Sequence, residues 1–284
     1  MKHRQFRSIN ECLAQVAGEL VMQGQEANVV NANGHVAQTL ELLNVSLAFA
    51  PWHNTVCTLP ERKFAARNAV AEFLWYMSGD NKVDRIAKFM PNWAKFANAD
   101  GLVNSNYGVY WQEQMPGIIA ELLRDNGSRR AVLSIYDGKK LGQFDKDTPC
   151  TETIQFMIRD NKLHMIVNMR SNDIWYGLTI DQFCFSMLHR LAYYELSAEL
   201  PALELGTYFH NAASLHAYVS DGAGKVTLTK QVLFDMCQNF IGNGDHGRAL
   251  TLPPGTTFKN FWRARFEDKE FLELLPHFMP TEHD

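Results

Sequence analysis

The chain has 284 residues, 46% of them hydrophobic and 12% aromatic, ample for one sizeable core at a length where chains begin to split into two. A formal net charge of −4 argues against binding nucleic acid through a basic surface, so an anionic ligand would have to be met by a local cluster of arginines. The N-terminal stretch MKHRQFRSINECL has no apolar signal region, and no run reaches the roughly 18 apolar residues that suggest a membrane span, so a cytoplasmic protein is expected.

The cysteines Cys12, Cys57, Cys150, Cys184 and Cys237 are scattered, odd in number and without CxxC spacing, which fits free thiols and neither a disulfide frame nor a metal site.

In chain order, Ser8-Ile9-Asn10-Glu11 is a capping-box pattern, and Ile9, Leu13, Val16, Ala17 and Leu20 follow at helical spacing, predicting a helix over 9–24. Residues 29–50 alternate as strands, with Asn33-Gly34 as a hairpin signal. A helix is expected over 61–78, stopped by Gly79, then short helices and loops over 80–113. A further helix is expected over 116–126, ending at Asn126-Gly127, and a strand over 131–136. TETIQFMIRD and KLHMIVNMR predict two strands joined at Asp160-Asn161. Residues 180–200 are apolar nearly all round, the mark of a buried helix. Residues 203–219 suggest a strand followed by a short turn, and 225–284 give only helical and strand fragments. With no repeats and no linker, the expected class is α+β: one domain over 1–284, a mixed β-sheet around a buried central helix.

Several side chains carry possible chemistry. Cys150 stands at a strand entrance, and although a free cysteine is usually a small buried hydrophobe, a thiolate here could draw on Arg170 at the end of the neighbouring strand. Arg129 and Arg130 would ordinarily be solvated surface; with Arg170 and Ser171 they could form a phosphate clamp. His216 and Tyr218 share one side of an extended segment, either as a half-buried pair or as two donors for a sugar hydroxyl. Glu72 interrupts an apolar helical face; it is either on the exposed side or buried with a raised pKa suited to moving protons.

In their order and spacing, "EFLWYMSGD" with Glu72, "NSNYG" with Tyr107, "GSRR", "PC", "MRSND", Gly177 and "HAY" at 216–218 resemble the thymidylate synthase family, from about residue 60 to 221. The resemblance implies a thymidylate synthase-like fold and a homodimer formed across the sheet. It implies that Cys150 adds to C6 of a pyrimidine nucleotide, that Arg170 and Ser171 hold the 5′-phosphate, and that Arg129 and Arg130 reach it from the partner subunit. His216 and Tyr218 would bind the sugar 3′-hydroxyl, and Glu72 would organise water and proton transfers. Asp173 would contact the pterin of 5,10-methylenetetrahydrofolate, with Trp93, Tyr107 and Gly177 at the cofactor cavity. The family's arginine-bearing N-terminal phosphate loop has no clear counterpart here.

The chain departs from the family's usual pattern at Asp181, where thymidylate synthases carry Asn. An amide suits uracil, whereas an acid that shares a proton with N3 and accepts from N4–H suits cytosine. The plain alternative is a helix N-cap, a common place for Asp. Thr151 follows the nucleophile where His is usual, and Ala213-Ser214 replaces Gly-Asp. The tail LPHFMPTEHD lacks the closing segment that excludes water in thymidylate synthases. The segments "NSNYG", "PCT", "NMRSND" and "SLHAY" are most similar to the deoxycytidylate hydroxymethylases of phages, which with these departures implies dCMP as substrate and hydroxymethylation as outcome. Methylation of dCMP, CMP or dUMP is the alternative, and a catalytically idle nucleotide-binding homologue a further one.

Overall fold

The computed structural model describes residues 5–30, 34–142, 146–220 and 228–245, together with 248, 250, 252 and 256. A mixed eight-stranded sheet organises these residues. Strand β1 (Gln5–Ser8) pairs in parallel with β3 (Val36–Asn54), which also takes β2 (Gln25–Val30) antiparallel at its other end. The long strand β8 (Glu204–Ser220) lies antiparallel to β3 and parallel to β6 (Lys162–Met169). Beyond β6 come β5 (Thr151–Arg159) and β4 (Val132–Ser134), both antiparallel, while the short β7 (Asn172–Asp173) adds to β8. The expected α+β class and mixed sheet are therefore present.

Helix α1 (Ile9–Gln23) starts where the capping pattern places it: Ser8 Oγ accepts from the Glu11 N–H at 3.0 Å, and Glu11 reaches back to the Arg7 N–H. Helix α4 (Gly177–Ser197) buries Phe183, Phe185, Met187, Leu188 and Leu191 on its several faces and packs against α2 (Ala66–Ser78), α3 (Tyr107–Arg124) and β8; it is the buried central helix. Asp160 and Asn161 both have positive φ, 49° and 56°, giving the two-residue turn that matches strand twist between β5 and β6.

Other boundaries differ from expectation. Helix α2 begins at Ala66 rather than 61, because residues 60–63 form a turn in which Lys63 takes φ 48°. Helix α3 runs from Tyr107 and carries Pro116 inside it, whereas the expected 116–126 helix used that proline as its first turn. Asn106 supplies the true start, its Oδ1 accepting from the Gly108 N–H at 2.9 Å. Gly108 is required there, since a Cβ would stand 1.5 Å from the Tyr76 carbonyl oxygen. Residues 204–220 form one strand rather than strand and turn, because β3 and β6 pair with β8 along its flanks. The β2–β3 hairpin is present with Gly34 at φ 78°, but Asn33 lies outside the described residues. Of the tail, α5 (Lys230–Asn243) packs on α1; the LPHFMPTEHD segment lies outside the described residues.

Candidate active site

The entrance of β5, the turn after β6 and the start of α4 converge on one region. Cys150 precedes β5 and is partly exposed. Its partner is Arg170, whose backbone N–H donates to the Cys150 carbonyl at 2.9 Å. The Arg170 guanidinium donates to the Pro149 carbonyl at 3.0 Å and the Thr148 carbonyl at 2.9 Å, and places Nη2 3.7 Å from Cys150 Sγ. Even so, burial pushes the thiol up to about 11; Arg170 lowers it, and Asp181, Asp147 and Asp173 oppose Arg170. Arg170 alone therefore does not make the thiolate. Tyr107 sits behind the nucleophile, its hydroxyl accepting from the Thr151 N–H at 3.3 Å. Asp147 ties the NSNYG segment to the same place, accepting from the Asn104 and Ser105 N–H groups at 2.7 Å each.

Glu72 is buried, not on an exposed helix face. Tyr76 Oη donates to its Oε1 at 2.7 Å and Trp93 Nε1 to its Oε2 at 3.3 Å. Burial lifts its pKa from 4.5 to about 7, against the pull of those two donors. Such a carboxyl changes charge near neutral pH and can both give and take a proton.

Asp173 and Asp181 hold different positions at the head of α4. Asp173 accepts from the Trp175 N–H at 3.3 Å and the Tyr176 N–H at 2.7 Å, so it serves the backbone that leads into the helix. Asp181 lies inside α4, five positions beyond its N-cap Tyr176, and accepts from Asn172 Nδ2 at 2.7 Å. The helix-cap alternative for Asp181 is thus removed: its carboxyl is partly buried within the helix, its pKa raised well above the ordinary range by lost solvation and then by Glu72. Gly177 packs against this pair; a Cβ there would stand 3.0 Å from Asn172 Nδ2 and 3.2 Å from Asp181 Oδ2.

His216 and Tyr218 stack edge to face at 5.0 Å on β8, and His216 is paired across the sheet with Asp173. Ser214 Oγ lies 3.3 Å from His216 Nδ1 and donates to Glu41 Oε2 at 2.6 Å. Ser171 is partly buried in the turn after Arg170. Arg129 and Arg130 stay outside the cluster: both are exposed, and Arg130 is paired with Glu121 and Asp125 of its own chain.

Sequence reasoning did not single out Asn172, Tyr208, His210 or Arg62. Tyr208 and His210 alternate onto the core face of β8, and an inward histidine in a strand is itself a signal of a buried polar partner. Arg62 donates to Thr179 Oγ1 at 3.2 Å and lies over the rings of Phe64, Trp175 and Tyr176 at 5.4, 5.6 and 5.7 Å. No spacing in the sequence distinguishes it from an ordinary surface cation.

Residues 16–238 match the family model "Thymidylate synthase". A deoxyuridylate hydroxymethyltransferase of Pseudomonas phage M6 is 36% identical over 156 residues, 52% of this chain and 43% of that protein. A deoxycytidylate 5-hydroxymethyltransferase of Enterobacteria phage T6 is 35% identical over 161 residues, 52% of this chain and 65% of that protein. The aligned stretch thus spans less than two thirds of either relative. Thymidylate synthase 1 of Bacillus spizizenii is 25% identical over 201 residues, 66% of this chain and 69% of that protein. The solved structure of thermostable thymidylate synthase A from Bacillus subtilis superposes with a TM-score of 0.66 at 21% identity, covering 90% of this chain and 91% of that one, a likeness of fold. The family transfers a one-carbon unit from methylenetetrahydrofolate to a pyrimidine nucleoside monophosphate, and with most of its length inside the family model the chain belongs to the thymidylate synthase family.

Proposed function

We propose that this chain transfers a one-carbon unit from 5,10-methylenetetrahydrofolate to C5 of dCMP, and that water then completes the product as 5-hydroxymethyl-dCMP. The observation that carries the base is Asp181: a carboxyl, not an amide, partly buried within α4 and free of any capping duty. An acid placed against the pyrimidine edge shares a proton with N3 and accepts from N4–H, the pattern of cytosine.

In this reading Cys150 Sγ adds to C6 and the ring's electrons gather at C5, which is otherwise a poor nucleophile. Protonation of N3 by Asp181 makes C6 more electrophilic. Bound methylenetetrahydrofolate supplies the carbon at the oxidation level of formaldehyde. Glu72, titrating near 7, holds the water that removes the C5 hydrogen as a proton. The exocyclic carbon then parts from the folate nitrogen and bonds instead to a water oxygen, whose proton passes to solvent, and release of the Cys150 sulfur as thiolate restores the ring. Arg170 and Ser171 hold the 5′-phosphate, and His216 and Tyr218 the sugar 3′-hydroxyl.

The residues fit the folate. Asp173 offers a carboxylate, Trp93 an indole beside Glu72, and Arg62 a guanidinium over three rings. A pterin with N–H donors, an aromatic linker and an anionic tail needs those three kinds of partner. Tyr107 and Gly177 shape the same region from behind Cys150 and from the head of α4.

The reading takes residues 1–284 as one catalytic domain working as a homodimer. Its support is the outward face of the sheet, where half-buried Thr153, Asn168 and Asn211 are bonded in a row and Ile166 and Phe209 stand beside them. A partner packed there would bring its own Arg129 and Arg130 to the phosphate.

The test is the fate of the folate. Hydroxymethyl transfer leaves tetrahydrofolate, whereas methyl transfer oxidises it to dihydrofolate, whose near-ultraviolet absorbance rises during turnover. Turnover of dCMP without that rise, lost in Cys150→Ser, is expected; a rise equal to nucleotide consumed assigns the methyltransferase alternative instead. Unchanged turnover in Cys150→Ser rules out the covalent route.

A further inference from the structure

A buried hydrogen-bonded chain ends on Asp181. Tyr208 Oη lies 2.6 Å from His210 Nδ1, His210 Nε2 lies 3.1 Å from Asn172 Oδ1, and Asn172 Nδ2 lies 2.7 Å from Asp181 Oδ2. None of Tyr208, His210 and Asn172 is more than 3% exposed. Nearly dry, the chain has to satisfy its donors internally, which gives it a direction.

Burial holds the His210 imidazole down to about 3, so it is neutral and carries one N–H; burial pushes the Tyr208 phenol well up, so it keeps its hydrogen. With the phenol donating to Nδ1, the imidazole hydrogen sits on Nε2 and donates to Asn172 Oδ1. The amide is then turned so that its NH₂ faces Asp181. The reverse direction sends the Tyr208 hydrogen out of the chain and sets an amide oxygen against a carboxylate.

This direction matters because a carboxylic acid by itself does not choose between pyrimidines. With the proton on the oxygen that faces N3, the acid donates to N3 and its other oxygen accepts from N4–H, so cytosine fits. With the proton on the other oxygen, the acid donates to O4 and accepts from N3–H, so uracil fits equally well. We propose that Asn172 is a specificity-determining positioning residue: its N–H donated into Asp181 Oδ2 keeps that oxygen an acceptor and confines the acid's proton to Oδ1, so that a cytosine edge is taken and a uracil edge refused. The inference rests on reading Asp181 as the base contact.

Gly177 supplies an independent observation. A Cβ there would crowd both atoms of the Asn172–Asp181 bond, at 3.0 and 3.2 Å, so the glycine leaves that bond room.

The test compares binding of dCMP and dUMP to the full chain by titration calorimetry without folate, so it does not depend on turnover. The native chain is expected to bind dCMP more tightly. Asn172→Ala is expected to narrow the dCMP-to-dUMP ratio by about tenfold or more, mainly by gaining dUMP, the scale set by one buried hydrogen bond. Tyr208→Phe, which removes one oxygen and keeps the ring, is expected to narrow the ratio in the same direction. Nitrogen NMR of the native chain should show His210 with its hydrogen on Nε2. An unchanged ratio in both variants, or the hydrogen on Nδ1, overturns the inference while leaving Asp181 as the base contact. A native chain that binds dUMP as tightly as dCMP overturns that reading and the inference together.

Discussion

Arg170 Nη2 stands 3.7 Å from Cys150 Sγ while its guanidinium is tied to the carbonyls of Pro149 and Thr148. The guanidinium is thus fixed to the nucleophile's own strand entrance, and its charge works against a burial effect larger than itself. The thiol predominates at neutral pH in the chain by itself. Because only the thiolate is alkylated, iodoacetamide labelling of Cys150 should keep rising with pH well past neutrality. Replacing Arg170 by Met should slow labelling at every pH below the thiol's own, by about tenfold for each unit the pKa climbs. A native labelling rate that levels off below about pH 8 would contradict this balance.

Glu72 gives a stability signature. Its pKa in the folded chain is raised from 4.5 to about 7, so between those values the folded state binds more protons than the unfolded one. Stability should fall as pH rises from about 4.5 to about 7 and then level off, by roughly 3 kcal/mol at most. Glu72→Gln should flatten that stretch of the denaturation-against-pH curve. An identical slope in the variant would show that another group is responsible.

The two carboxyls at the head of α4 should behave oppositely. Asp173→Ala removes the acceptor for the Trp175 and Tyr176 N–H groups and should cost about 1 to 2 kcal/mol in urea denaturation. Asp181→Asn removes a partly buried acid whose charged form lost solvation and Glu72 disfavour, so its thermal midpoint at neutral pH should be no lower than the native one. A loss for Asp181→Asn like that of a missing cap would return Asp181 to a structural role.

The same Asp181→Asn variant should move substrate preference from dCMP towards dUMP. The measure is the ratio of kcat/KM for the two nucleotides, by competition in one vessel. A ratio that does not move would place base recognition elsewhere.

Much of this was legible in the chain itself. Alternation and the Asp160-Asn161 pair give the β5–β6 hairpin, and the all-round apolar run gives α4, because both signals are local. Glu72 stood out because an acid on an apolar helix face needs a reason. What the sequence hid was set by contacts distant in the chain. Pro116 looked like a helix start, but Asn106 and the close approach of Gly108 to Tyr76 begin α3 earlier. Asp181 had the composition of a cap, yet it lies inside α4, and the N–H groups leading into the helix are met by Asp173, eight positions earlier. Asn172 and His210 meet only when β7 and β8 come together, 38 residues apart along the chain.

The central claim is tested most directly by the mass of the nucleotide after incubation with 5,10-methylenetetrahydrofolate and either dCMP or dUMP. The account predicts that dCMP gains one CH₂O unit and dUMP is left unchanged. A gain of CH₂ on dCMP would contradict the hydroxymethyl outcome, and modification of dUMP in preference to dCMP would contradict the role given to Asp181.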